Sequence, residues 1–323
     1  MKAIVRTKYG SPDVLQLIDV EKPAPQDNEV LIQVRAASLN AYDWHLLTAD
    51  IFPVRLMGGG LLKPKKKSLG ADVAGRVEAV GRDVAQLRPG DEVCGDIGGT
   101  DNGSLAEYAC ARESLLVVKP TNLSFEEAAA VPMAGLTALQ ALRDHGRIQP
   151  GQKVLINGAS GGVGTFAVQI AKSFGAQVTA VCSTGKMDLV RSIGADQAID
   201  YTKEDFTKKG LHYDLILAAN GYHPILDYRR ALSPNGICVV VGGSVAQLAQ
   251  ALLLGPLISR TGSRKMGAMV AKINQRDLVF LKELLEAGKI RPVMDRRYPF
   301  SEVREAFRYF GEGHARGKVV ITM

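Results

Sequence analysis

"LINGASGGVGTFAVQIAKSFGAQVTAVCST", residues 155–184, holds five of the chain's 34 glycines, with an apolar run on each side of the tightest group. "KVLIN" reads as a strand, Val154–Asn157, and an apolar helix, Val163–Phe174, follows the glycines at once. In such a strand–turn–helix, Gly161 lets the backbone meet a pyrophosphate and Gly164 lets the helix pack closely against the strand. The first amides of the helix, with its dipole, receive the negative charge. The fingerprint G-x-G-x-x-G appears as Ala159-x-Gly161-x-x-Gly164, with its first glycine replaced. Its context carries the reading: a strand before, a helix after, and another strand, Val178–Cys182, next. A plain connecting turn would need one or two glycines, so the anion is the pyrophosphate of a dinucleotide.

The end of that second strand distinguishes the dinucleotides. An NAD site places Asp or Glu there, on the ribose 2′-hydroxyl. Here the chain reads "VTAVCSTGKMD", with Ser183, Thr184 and Lys186 where the acid would stand. Hydroxyls and a cation suit a 2′-phosphate, so NADPH is expected; the alternative is an ordinary helix start capped by Ser183 or Thr184. Asp188 comes too late and falls inside the following helix, Lys186–Ile193.

Working outward, strand and helix alternate beyond Pro120, through "YDLILAAN" and "GICVVVGG", as in a parallel sheet covered on both faces. Ser124 with Glu127 forms a capping box at the start of "SFEEAAAVPMAGLTALQALRD". Before Pro120, "KAIVRT", "EVLIQVRAAS", "VAGRVEAVG" and "LAEYACAR" are short strands punctuated by turns, as in a compact antiparallel barrel. The last 30 residues end on "GKVVITM", a strand that can return to that first domain.

The bulk numbers agree with two globular domains: 323 residues, 46% hydrophobic and 23% charged. The four cysteines, Cys94, Cys110, Cys182 and Cys238, are scattered and never spaced as C-x-x-C. That argues for buried thiols in a reducing cytosol and against a zinc lobe. The start has scattered apolar positions and early acids, unlike a leader peptide, so a cytoplasmic location is expected. The longest apolar stretch, Leu248 to Ser259, is interrupted and too short to cross a bilayer. Net charge is +7, much of it in "RLMGGGLLKPKKK", residues 55–67. No aromatics interleave with these bases, so a solvated loop is expected and a nucleic-acid partner is not.

"GADVAGRVEAVG", "RPGDEV", "GSLAEYA", "AAAVPMAGLTALQAL", "GASGGVG", "GADQAIDY" and "HARGKVVI" follow one another across the whole chain. In this order they resemble the medium-chain dehydrogenase/reductase superfamily, in particular its zinc-independent quinone oxidoreductases and the branch containing the mitochondrial reticulon-interacting oxidoreductase. The resemblance implies an α/β plus β fold: a GroES-like β-barrel catalytic domain, 1–121 completed by 292–323, with a Rossmann doubly wound parallel sheet, 122–291. It implies NADPH in the cleft between them and a homodimer built through edge strands of the Rossmann sheet. Ser160, Gly162 and Val163 match pyrophosphate-loop positions. Ser183 and Tyr201 match positions near the 2′-phosphate, with Lys186 beside them. Thr137 matches a threonine near the nicotinamide, and Ala315, Arg316 and Gly317 a tail segment that reaches the cofactor. Gly242, Gly243 and Ser244 close a strand at the ligand-binding edge of the sheet. Asn40 and Asp43 match the "N-x-x-D" near the reacting carbonyl. Where zinc-dependent members carry Cys and "GHE", this chain has "SLNAYDWH" and "GADVAG", so no metal is expected. "LILAANGY" departs from the pattern, with Ala219-Asn220 where relatives often show an acid and a valine-glycine.

Without a Lewis acid, suitable acceptors are already electron-poor: quinones, or alkenes conjugated to a carbonyl. Charge then grows on the acceptor oxygen, where the Asn40 amide or the Tyr42 hydroxyl could stabilise it, with Tyr42 and His45 as proton donors or solvent in their place. Competing readings are a zinc-free alcohol dehydrogenase or acyl-thioester enoyl reductase, and a low-turnover redox sensor that only holds NADPH. The apolar segment 244–266 reads either as a helix of the Rossmann core or as an apolar wall of a pocket for a small hydrophobic acceptor.

Overall fold

The computed structural model describes residues 1–323 except 52–54, 56–59 and 100–102, so part of the basic stretch 55–67 lies outside the described residues. The chain divides into two compact units, one of residues 1–133, 273–286 and 292–323, the other of 134–272 and 287–291.

The first unit is built on strands. A hairpin pairs β1 (Lys2–Arg6) with β2 (Leu15–Asp19). The long β3 (Glu29–Leu39) pairs antiparallel with β4 (Asp72–Val80), which continues to β5 (Glu92–Asp96) and β7 (Leu116–Val118), while β6 (Tyr108–Arg112) also pairs with β3. On its other side β3 receives β15 (Lys318–Thr322), which runs parallel to β14 (Met294–Pro299). The C-terminal strand therefore closes the sheet that the N-terminal third begins. Alternation in "EVLIQVRAASL" sends Val30, Ile32 and Val34 into one core cluster with Val73, Val93 and Leu116. Ala37 and Leu39 join another, with Leu46, Phe307 and Ile321. Burying each large aliphatic side chain contributes about 1.5–3 kcal/mol.

The helix α1 (Ala41–Thr48) leaves the end of β3, and α2 (Phe125–Ala129) starts on the expected capping box. Ser124 Oγ accepts from Glu127 N, and Ser124 N donates to the Glu127 carboxylate. Pro132 then begins a separate helix, α3 (Pro132–Gln140), because proline lacks the amide that would continue α2.

The strands of the second unit are β8 (Lys153–Asn157), β9 (Gln177–Cys182), β10 (Gln197–Asp200), β11 (Tyr213–Ala218), β12 (Leu232–Val240) and β13 (Lys265–Ala268). They form a six-stranded parallel sheet in the order β10-β9-β8-β11-β12-β13. Crossover helices α4 (Gly162–Ser173), α5 (Met187–Ser192), α6 (Ile225–Ala231), α7 (Val245–Leu253) and α8 (Gly255–Thr261) connect them. The strand order reverses between β8 and β11, which is where ligands bind in such sheets. Because all six strands run one way, the loops after β8, β9, β11 and β12 gather at one edge.

The division differs from the expected boundaries at 121/122 and 291/292. Residues 122–133 and α9 (Gln275–Glu286) belong to the first unit. Packing explains it: Gln275 Nε2 donates to Leu116 O at 3.0 Å, and Asn122 Nδ2 to Leu285 O at 2.9 Å. The helix α10 (Val303–Gly311) then joins β14 to β15.

The segment 244–266 is no core helix buried all round. Gln247, Ala251, Gly255 and Ile258 face inward, but Leu252 and Leu253 are 62% and 72% exposed, with Val245, Leu254 and Leu257 also at the surface. No helix is long and apolar enough to cross a membrane, among the described residues.

Candidate functional site

In the second unit the phosphate loop joins β8 to α4. Gly158 takes the left-handed φ of +81°, and a Cβ there would stand 2.7 Å from Asn220 N. The turn glycine thus stands one place before Ala159, where the fingerprint looks for it. Gly161 caps α4 in extended conformation. A Cβ on Gly164 would lie 2.1 Å from Gly158 O, so only glycine lets the helix lie this close to the loop. Gly161 is the opposite case: its added Cβ would meet nothing nearer than Gly158 O at 3.6 Å. The protein therefore does not need glycine at 161 for its own packing. Ser160 is buried beside it, and Gly162 and Val163 are half-exposed at the first turn of α4, where unbonded amides point outward.

At the end of β9, Ser183 precedes a short turn, Thr184–Lys186, and Asp188 is exposed on α5 and paired with Arg191. Tyr201, 59% exposed, donates its backbone amide to Cys182 O, which sets it beside the Ser183 turn. Asp200 escapes the sequence reading. Parallel pairing puts it level with Cys182, and its carboxylate accepts from Thr184 Oγ1, Thr202 N (3.0 Å) and Thr202 Oγ1 (2.7 Å). The Thr184 hydrogen bond above all pulls its pKa down to about 2. An acid does stand near this turn, engaged by its own neighbours.

After β12, Gly242 passes so close to Ala219 O that a Cβ would be 2.4 Å away, Gly243 has φ +104°, and Ser244 caps α7 by accepting from Gln247 N at 3.2 Å. Thr137 lies half-exposed on α3. Among the expected cofactor residues, those from 137 to 244 belong to this unit, and the loops after β8, β9 and β12 meet at its C-terminal sheet edge.

In the first unit, Asn40, Tyr42 and Asp43 lie at the start of α1. Asp43 is fully buried and accepts from Asn40 N (3.0 Å) and Gly70 N (3.1 Å). Burial, then the neighbouring Asp72 charge, pushes its pKa up to about 7; Asp96, nearby on β5, is pushed to about 7 by the same causes. Asn40 Nδ2 donates to Asp72 Oδ2 at 2.9 Å, and Asn40 Oδ1 accepts from Lys318 Nζ. Its amide is engaged on both sides, so it serves here as part of the frame. Asp72 also accepts from Ser38 Oγ (2.7 Å), Met133 N (2.8 Å) and Lys318 Nζ (3.1 Å). Asp72 and Lys318 also escape the sequence reading; the aspartate of "GADVAG" and the lysine of "GKVVI" are the only local signals. Their ion pair is buried, and its worth lies in the surrounding hydrogen bonds that satisfy both charges.

Tyr42 is the half-buried member of the trio. Burial first, then Asp43 and Asp96, raises its pKa, so the phenol keeps its proton at neutral pH. His45 Nδ1 is 2.8 Å from Asp50 Oδ1, which engages the ring at the far end of α1. Arg316 donates its amide to Asp295 at 2.9 Å, Ala315 is half-exposed, and Gly317 has φ +108° against Val293 O. No group of three His, Cys, Asp or Glu able to hold a metal gathers among the described residues.

Residues 26–121 match the family model "Alcohol dehydrogenase GroES-like domain", and 193–321 match "Zinc-binding dehydrogenase". The 2-methylene-furan-3-one reductase of Solanum lycopersicum is 41% identical, over 99% of this chain and 79% of its own. The chloroplastic NADPH-dependent alkenal/one oxidoreductase of Arabidopsis thaliana is 36% identical, over 99% and 79%. The solved structure of the quinone oxidoreductase from Coxiella burnetii superimposes with a TM-score of 0.88 at 32% identity, covering 100% of this chain and 99% of that one.

Proposed function

We propose, since the chain belongs to the quinone oxidoreductase-like branch of the medium-chain dehydrogenase/reductase superfamily, that this oxidoreductase uses NADPH to reduce quinones or alkenes conjugated to a carbonyl. The observation that carries the cofactor reading is the contrast at the phosphate loop: Gly164 is required by packing, whereas Gly161 is open. NADPH supplies the hydride when bound. The amides of Gly162 and Val163 hold its pyrophosphate, with Ser160 beside them. Ser183, Lys186 and Tyr201 surround the 2′-phosphate, while the ionised Asp200 directs its carboxylate oxygens to Thr184, Thr202 and the Lys203 ammonium. Thr137, the Gly242–Ser244 loop and the tail Ala315–Gly317 take the remaining cofactor contacts.

Tyr42 donates a hydrogen bond, and then its proton, to the acceptor oxygen as charge develops there; Asn40 and Asp43 hold α1 in place behind it. Zinc has no part in this reading. The carboxylate of Asp72 is already neutralised by the Lys318 ammonium, and all four cysteines are buried free thiols. Those buried thiols also support a cytoplasmic location.

The exposed apolar face of α7 and α8 supports a homodimer. It adjoins β13, which ends the sheet and leaves an edge for antiparallel pairing with a second copy. Steady-state NADPH oxidation by the native chain and by Tyr42→Phe tests the catalytic reading.

A further inference from the structure

The C-terminal edge of the parallel sheet contains three buried polar side chains that no step above uses. Asn157 ends β8 immediately before Gly158, Tyr228 sits on α6, and Gln247 sits on α7. All three are nearly inaccessible, beside an apolar cluster that includes Leu155, Phe206, Ile225 and Ala251. Burying an amide or phenol is unfavourable unless its hydrogen bonds are made. Here they are made between Asn157 and Tyr228, and from Gln247 to the backbone around it. Asn157 Nδ2 donates to Tyr228 Oη at 2.8 Å, and α6 is bound on to α7, where Ile225 N donates to Gln250 Oε1 at 3.0 Å. Gln247 Nε2 donates onward to Gly242 O at 3.3 Å, while Gln247 Oε1 accepts from His223 N at 3.2 Å.

The ends of this chain of bonds give it meaning. At one end the backbone of Asn157 leads directly into the phosphate loop, and its carbonyl accepts from Ala219 N and Asn220 N at 2.9 and 3.2 Å. At the other end Gln247 is wrapped by Gly242–Ser244: a Cβ on Gly243 would stand 3.0 Å from Gln247 Nε2. Two loops far apart in sequence, Gly158–Gly164 and Gly242–Ser244, are thus tied through side chains and the α6–α7 contact as well as through the sheet.

We propose that Asn157, Tyr228 and Gln247 are positioning residues, a polar brace that fixes the Gly242–Ser244 loop relative to the phosphate loop and so holds the nicotinamide half of the cofactor in register with its pyrophosphate. The proposal rests on the NADPH reading for its second half; the brace itself is a property of the protein alone. Buried polar contacts of this kind specify one arrangement because removing a partner leaves a buried group unsatisfied.

Two measurements separate these parts. In the cofactor-free protein, hydrogen exchange should speed up by about tenfold or more both at 158–164 and at 242–247 in Tyr228→Phe, and in the same two stretches in Gln247→Leu. Acceleration confined to the helix that carries the substitution overturns the brace, whatever the cofactor. The second measurement compares binding of NADPH with that of 2′-phospho-ADP-ribose, which lacks the nicotinamide. Tyr228→Phe should weaken NADPH about tenfold and quench the fluorescence change of its bound nicotinamide, while the fragment binds within about twofold of the native chain. Equal weakening of both ligands, or of neither, overturns the positioning role. A native chain that binds neither ligand refutes the NADPH reading, while the exchange result still decides the brace.

Discussion

Gly161→Val should keep the fold and lose the cofactor, while Gly164→Ala should strain the fold directly. At position 161 the backbone has an ordinary extended φ of −84°, and an added Cβ meets nothing closer than 3.6 Å. A valine there finds room for its Cβ and loses only the cap preference for glycine, about 1 kcal/mol. The same side chain fills the space in which amides must meet the pyrophosphate. Each hydrogen bond to a charged group contributes about 1.5–3 kcal/mol, so losing one or two weakens NADPH by roughly one to four decades. At position 164 the new methyl would stand 2.1 Å from Gly158 O, backbone that cannot yield without moving the loop. Overpacking of this kind costs about 1–3 kcal/mol, and each kcal/mol lowers Tm by about 2–4 °C in a domain of this size. Thermal unfolding by circular dichroism and fluorescence titration with NADPH read the two effects separately. A Gly161→Val protein that binds NADPH with native affinity, or that unfolds at markedly lower temperature, would refute the reasoning about this loop.

Other substitutions probe other residues. Ser183→Asp puts a carboxylate against the 2′-phosphate and should weaken NADPH roughly 10–100-fold while improving NADH, consistent with about 1.5–3 kcal/mol for one charged contact; an unchanged ratio of the two dissociation constants contradicts the assignment. Leu253→Glu, at a position 72% exposed, should leave the monomer stable and shift sedimentation from dimer to monomer; a native chain that sediments as a monomer removes the proposed interface. Asp43 has a folded pKa of about 7, above its ordinary value, so the folded chain binds an extra proton between about pH 4 and 7 and loses stability as pH rises through that window. Asp43→Asn should flatten this slope by up to about 1.4 kcal/mol per pH unit in denaturant unfolding, and an unchanged slope would show that Asp43 ionises normally.

What the sequence shows and what it hides follow from the range of the interactions. The phosphate loop is legible because strand, turn and helix are adjacent, and glycine spacing reports backbone geometry directly. Even there, the left-handed turn falls on Gly158, a shift of one residue that spacing alone does not reveal. Asp200 is hidden because it reaches the Ser183 turn through pairing of β10 with β9. The frame of Asn40, Asp72 and Lys318 joins residues 32, 246 and 278 positions apart, and no local pattern encodes such contacts. The leucines of 252–257 are ambiguous for another reason: a core helix and an apolar pocket wall require the same side chains, and only the packed structure shows which face is left open. The packing partner of the helix Gln275–Glu286 is hidden too, since Gln275 bonds Leu116 at a separation of 159 residues.

If this chain consumes NADPH to reduce an electron-poor acceptor without a metal, the most direct measurement follows NADPH absorbance under steady state. The acceptors are a panel of 1,4-quinones, enals, enones and plain ketones, with EDTA present throughout and Tyr42→Phe run beside the native protein. The expected result is turnover with quinones or enones but not with plain ketones, insensitivity to the chelator, and a loss of about 10²-fold or more in kcat for Tyr42→Phe at unchanged NADPH affinity. Tight binding of NADPH with no consumption against any acceptor, or activity that disappears with EDTA and returns with zinc, would contradict it.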